Sequence, residues 1–285
     1  MTATARGTQE ASSDRQARRL ADLAARLTPR DRQLCRLLAD HRVLTSRQLT
    51  DLAFSHLDTA EDRLRTLTTL GVLDRFRPRR DTGSAPYHYV LGPLGAAVLA
   101  AEQGVSVGDL GYRRATSLAI AHHRRLPELV RANGFFAALA GHARRHADAE
   151  LVLWWSPRRC QATWGALIQP HGFGRWQECG AVLDFFLECD AAGALGRLTG
   201  ALAGYEELAG ANPQLATVTL LWIATAQREA EVRSALHPRA CLLATATEQS
   251  GRNPADAIWL PLGTTGVRRR LADLAHPDCW ISVQP

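Results

Sequence analysis

Between residues 28 and 91 the hydrophobic period changes from helical to alternating, and that switch restricts the fold more than any other feature of the chain. Thr28-Pro29-Arg30-Asp31 supplies a capping hydroxyl, a proline suited to a first helical position and an acid for the positive first turn. Leu34, Leu37 and Leu38 follow as an apolar stripe, and His41-Arg42-Val43-Leu44 breaks it. Thr45 with Gln48 three residues on forms a capping box for a second helix, which buries Leu49, Leu52, Ala53 and Phe54. Asp58 with Glu61 marks a third capped start, with Ala60, Leu64, Leu67 and Leu70 inward and Gly71 as a left-handed cap. Val72–Phe76 and Tyr87–Leu91 then alternate as strands around the irregular, basic stretch 77–86, and Pro93–Ala101 reads as a closing helix.

Three short helices and a basic hairpin, in that order, predict a winged helix-turn-helix over residues 28–103. A lead-in helix is expected within 14–27. Its third helix would enter the major groove of duplex DNA, and its hairpin would touch phosphate or the minor groove. The candidate DNA contacts are Arg47, Thr59, Arg63, Arg65 and Thr66 on the helices and Arg75, Arg77, Arg79 and Arg80 on the hairpin. Guanidinium forks suit phosphates and guanine edges, and four arginines so closely spaced do not fit inside a core. The competing reading is a solvated charged loop beside a helical domain. Asp58, Glu61 and Asp62 on the third helix weigh against phosphate, and some winged helices bind protein instead.

The distribution of charge supports a polyanion partner for the first half only. All 34 basic residues are arginine, and the chain has no lysine. Residues 1–147 hold 23 Arg against 14 acids, whereas residues 148–285 hold 11 Arg against 14 acids. Residues 1–13 lack an apolar core of a secretion signal and are read as a disordered leader. No stretch of 18 apolar residues suggests a membrane span, so a cytoplasmic location is expected. Six scattered cysteines show no C-x-x-C spacing. A structural zinc site is not expected, and Cys35 and Cys189 read as reduced core thiols. Residues 104–112 read as a linker and 113–147 as connecting helices. There the adjacent His122 and His123 point about 100° apart and are taken as part of a solvated or packed helix rather than as a metal site or general base.

From residue 148 strands alternate with helices, which implies an α/β domain. Strands are expected at Glu150–Ser156, Val182–Asp190, Thr217–Ala224, Cys241–Thr245 and Ile258–Leu262, and helices at Gly193–Leu208, Gln227–Leu236 and Val267–Leu274. Asp184, Glu188 and Asp190 fall on one face of their strand, an arrangement that suggests Mg²⁺ held for phosphodiester cleavage. A further acid from a neighbouring strand would be needed, and Gln169-Pro170-His171-Gly172 offers none.

Leu70-Gly71-Val72-Leu73, Pro170-His171-Gly172-Phe173, Phe185-Phe186-Leu187-Glu188-Cys189-Asp190, Arg197-Leu198 and Ala201-Leu202-Ala203-Gly204-Tyr205 occur in that order. From about residue 28 onward the chain resembles the replication-relaxation family of actinobacterial and other Gram-positive mobile elements. The resemblance implies an association with plasmid replication and with the relaxed state of plasmid DNA. It also implies a second domain built like a PD-(D/E)xK nuclease, and so an α+β protein overall.

Two departures bear on chemistry. The family pattern Pro-Asp is here Pro170-His171, and the Lys before its Leu-Ala-Gly-Tyr run is here Ala201. Each loss is expected to cost on the order of 10²-fold in rate. The domain over 148–285 therefore reads as a degenerate nuclease. His171, Glu188 and Asp190 are its residual catalytic candidates, with His171 a substitute metal ligand and Arg197 a substitute for the lysine. The alternative for Glu188 and Asp190 is a structural cluster paired with arginine.

The function expected is that of a DNA-binding accessory protein of a plasmid or mobile element, acting in replication, maintenance or transfer. Double-stranded DNA, a second copy in a homodimer and replication or transfer proteins are the expected partners. No cofactor is expected. Mg²⁺ enters only under the alternative of a DNA nuclease or nickase, and a third reading is a winged-helix transcriptional regulator.

Overall fold

The computed structural model describes residues 18, 20–79, 83–190, 195–212, 217–236, 241–264 and 266–280. The leader expected at 1–13 and the candidate contact Arg80 lie outside them. The fold is mixed α+β, and the chain divides after Leu126 into two compact units. Among the described residues no helix is long and apolar enough to cross a membrane.

In the first unit, residues 20–26 form α1, whose Leu23 is buried. α2 (Pro29–His41) is capped by Thr28 and Asp31 in reciprocal hydrogen bonds, and Arg42 at φ 69° ends it. β1 (Leu44–Thr45) leads into α3 (Ser46–Ala53), which has the capping box of Thr45 and Gln48. α4 spans Leu57–Thr69. Its start differs from the expected Asp58 box. The chain enters the helix at His56, which makes no side-chain cap, so Asp58 sits in the first turn facing the positive end of the dipole. Gly71 takes φ 72°, a conformation that carries the chain from α4 into β2 (Leu73–Phe76) and that a side chain there would strain. β3 (His88–Leu91) pairs antiparallel with both β1 and β2, giving the order β1-β3-β2. α5 (Pro93–Gln103) closes against α2 and β2. Leu34, Leu38, Leu49, Leu64, Leu67 and Tyr89 are all but fully buried and make the core.

The connecting segment is made of separate helices. α6 (Arg114–Ala119) runs into a single 3₁₀ turn at Ile120–His122, and residues 123–125 break the ladder. Pro127 has no N–H with which to carry the helix through, so a new helix, α7 (Leu126–Ala143), begins there. His122 and His123 are exposed. Although the sequence reading places α7 between two domains, it contributes Ala132, Phe135, Phe136 and Leu139 to the core of the second unit.

That unit is a six-stranded sheet in sequence order. β4 (Ala149–Trp155), β5 (Gly172–Glu178) and β6 (Ala181–Asp190) are antiparallel, β6 is parallel to β7 (Thr217–Ile223) and β7 to β8 (Leu242–Thr247), and β9 (Leu260–Pro261) returns antiparallel. Strand alternation gives the sheet two cores. Leu183, Phe185 and Leu187 face α7, while Phe186 joins Phe173, Leu221 and Ile223. The second core is covered by α8 (Pro157–Trp164), α9 (Leu195–Ala211) and α10 (Ala226–Ala235), through Cys160, Leu202, Tyr205, Leu208 and Val232. The helix expected at 267–274 is largely absent. Arg269 instead bridges Trp259 in extended backbone, and only a 3₁₀ turn at Ala272–Ala275 remains.

Candidate functional site

Two places gather the residues singled out above. The first is the surface made by α3, α4 and the β2–β3 hairpin. Arg47 is exposed at the second position of α3. On α4, Thr59, Asp62, Arg65, Thr66 and Thr69 are exposed. The hydroxyls of Thr66, Thr68 and Thr69 each donate to the carbonyl one turn back, at 3.0, 2.8 and 3.1 Å. Arg65 Nη1 donates to Asp62 Oδ1 at 2.8 Å.

Arg63 has a different environment from Arg65. Its guanidinium forks onto Asp31, with Nε 2.9 Å from Oδ1 and Nη2 on Oδ2. Asp31 is fully buried and also accepts from the Thr28 amide and hydroxyl at 2.8 Å each. Burial acts to raise its pKa, but the Arg63 and Thr28 donors outweigh burial and hold the carboxyl below its ordinary value. Arg63 therefore clamps α4 to the start of α2, an arrangement that helical spacing alone cannot reveal because Asp31 lies 32 residues upstream.

The hairpin carries a cation–aromatic ladder. Arg75 pairs with Tyr89 across the strands, and both it and Arg77 place a guanidinium 4.2 Å from the centroid of the Tyr87 ring. Burial raises the pKa of the Tyr89 phenol, and the neighbouring Arg75 acts against that rise. The opposite face holds Phe76 stacked on His88 at 5.3 Å. Arg77 and Arg79 are exposed, and among the described residues none of Arg75, Arg77 and Arg79 forms an ion pair. The structure thus brings two of the four hairpin arginines, Arg75 and Arg77, together on Tyr87. The tyrosine is not among the candidates read from sequence. The signal for it was the even spacing of Arg75 with Arg77 and of Tyr87 with Tyr89, which antiparallel pairing sets on one face.

The second place is the α9 side of β6. Asp184, Glu188 and Asp190 share that face, as their spacing requires, but each has its own partner. Arg175 Nε and Nη2 hold Asp184 at 2.6 and 2.8 Å. Arg228 Nε holds Asp190 at 2.7 Å. Glu188 receives the Tyr205 hydroxyl on Oε1 and lies with Oε2 2.8 Å from His171 Nδ1. Burial and the adjoining carboxylate push the Tyr205 phenol well above its ordinary pKa, so it stays protonated as a donor. Four residues of strand separate Asp184 from Glu188 by roughly 13 Å, too far for one ion. Among the described residues no group of three or more His, Cys, Asp or Glu is arranged to hold a metal. The residues present do not fit Mg²⁺, because the oxygens it would take are directed at guanidinium, phenol and imidazole.

α9 explains the short Gly204-Tyr205 element. A Cβ at Gly204 would lie 2.2 Å from the Leu167 carbonyl oxygen. That close approach brings Tyr205 down onto Glu188. Ala201 stands one turn before Tyr205 and is exposed. Arg197 stands two turns before it, also exposed, about 12 Å along the helix axis.

A family model described as Replication-relaxation matches residues 35–221. Its span takes in the hairpin arginines, Tyr87, His171, Glu188, Asp190 and Tyr205. No curated protein and no solved structure matches the chain. The match covers well over half of the 285 residues. The chain belongs to the replication-relaxation family.

Proposed function

We propose that this protein is a DNA-binding accessory factor of a plasmid or other mobile element, acting in its replication, maintenance or transfer. The family supports the replication context. The observation that carries DNA binding is the hairpin ladder of Arg75, Arg77 and Tyr87. These cations are oriented by an aromatic ring rather than neutralised by an acid. In this reading α3 and α4 are a helix-turn-helix, β2 and β3 its wing, and Arg77 and Arg79 meet phosphate while α4 lies in the major groove. Arg63 keeps α4 in place and makes no contact with DNA. The second unit is a nuclease-like fold without a working metal site. It serves dimerisation or docks a replication or transfer protein in the cytoplasm.

Titration of full-length protein with duplex DNA at several salt concentrations tests the reading. Affinity should fall steeply with salt, because phosphate neutralisation releases counterions. No measurable binding at low salt defeats it. Incubation with supercoiled plasmid and Mg²⁺ tests the second unit. The plasmid should remain supercoiled, and nicking abolished by Glu188→Ala would make the protein an enzyme.

A further inference from the structure

Once the residues with internal partners are set aside, the chemistry of α4 is narrow. The helix carries two arginines. Arg63 is clamped on Asp31. Thr66 and Thr69 direct their hydroxyl hydrogens to backbone carbonyls and so present methyl groups outward. The cationic group left on the exposed face is Arg65, held by Asp62, and both are open to solvent, with side-chain exposures of 63% and 74%. Asp62 occupies one guanidinium nitrogen at 2.8 Å and leaves the rest of the fork directed outward.

An acid at this position opposes any contact with phosphate, so its place on a groove-facing surface needs a base partner. In the major groove guanine offers O6 and N7 to an arginine fork, and cytosine offers its N4 amino group to a carboxylate. We infer that Asp62 and Arg65 act together as a reader of G·C pairs in the bound duplex, Arg65 on guanine and Asp62 on the cytosine amino group of the adjoining pair. The inference rests on the proposed placement of α4 in the major groove. The exposed ion pair holds Arg65 only weakly, so its guanidinium can turn onto a base while Asp62 stays beside it. The Thr66 and Thr69 methyls flank it as apolar contacts.

The test is a selection of duplexes from a randomised library by full-length wild type and by Arg65→Lys and Asp62→Asn. Thermal melts establish that the exposed substitutions leave the fold intact. Wild type should enrich a motif containing a G·C pair. Arg65→Lys keeps the charge but loses the fork. It should weaken binding to that motif by on the order of tenfold, while leaving the salt dependence unchanged. Asp62→Asn should move the preference at one position from cytosine to adenine, because an amide pairs with adenine N6 and N7. It should also raise affinity for unrelated duplex by removing a negative charge. If wild type captures no duplex at low salt, the DNA-binding reading itself fails. If wild type binds without enriching a motif, or if all three proteins enrich the same motif, the Asp62–Arg65 reader is overturned and DNA binding stands.

Discussion

Arg63 and Arg65 lie two positions apart on α4, and the fold gives them different environments. Helical periodicity places both on the outer half of the helix, and to that extent their positions were legible in the sequence. Their duties were not, because the carboxylate that claims Arg63 arrives from another helix. Removing Arg63 leaves Asp31 buried with only the Thr28 donors. Arg63→Ala should destabilise the first unit by on the order of 3 kcal/mol, at the lower end for such a pair because the guanidinium is partly solvated. A urea melt checks this.

The pH dependence has a definite sign. Asp31 titrates below its ordinary value in the folded state. Its contribution is therefore present above the unfolded pKa of about 3.9, and it is lost as pH falls through the folded value. Asp31→Asn should be less stable at pH 7 and should show a flatter stability curve below about pH 4. A variant that keeps the wild-type acid slope would show that another group sets it. In the second unit, Tyr205→Phe takes a donor from the buried Glu188 and should cost about 1–3 kcal/mol, measured the same way.

At the scale of elements, the sequence specified those with strong periodicity or complete caps. α2, α3, β6 and β7 fall close to where they were expected. β5 was missed because Gly172-Phe173-Gly174-Arg175-Trp176-Gln177-Glu178 shows little alternation of apolar and polar residues. Its polar members find partners that only the folded sheet supplies, Arg175 on Asp184 and Glu178 under Trp176 and Arg270. α8 was missed because eight residues with two arginines leave too short an apolar stripe.

The close approach of α9 to Leu167 was likewise invisible, though Gly204 itself was read as part of a family element. It yields a prediction whose sign separates packing from propensity. Alanine is favoured over glycine in a helix by about 1 kcal/mol. Gly200→Ala, with open space around its added carbon, should stabilise the protein by up to about that amount. Gly204→Ala should destabilise it, since the same carbon meets a backbone oxygen that cannot move aside. Stabilisation by both would mean that α9 has room to shift, and the account of Tyr205 on Glu188 would fail with it.

Across the whole molecule many arginines pair with acids, but Arg75, Arg77 and Arg79 do not among the described residues, and under the proposed DNA binding this favours the hairpin as the phosphate contact. In the second unit Arg131, Arg175, Arg228, Arg268 and Arg270 hold Glu248, Asp184, Asp190, Glu229 and Glu178, so much of the positive charge is cancelled close to its source. In the first unit Arg32, Arg36, Arg63, Arg65 and Arg114 also pair with acids, whereas Arg75 and Arg77 lie on Tyr87. The uneven charge of the two halves was plain in the sequence. The difference in pairing was not, since it depends on contacts between distant strands and helices. The consequence is measurable in the salt dependence of DNA affinity, where each neutralised phosphate contributes about 0.9 to the logarithmic slope. Arg77→Ala combined with Arg79→Ala should lower the slope by about two. Arg197→Ala, which removes an exposed arginine from α9, should leave it unchanged. The reverse pattern, with the slope insensitive to the hairpin and reduced by loss of Arg197, would move the DNA path onto the second unit.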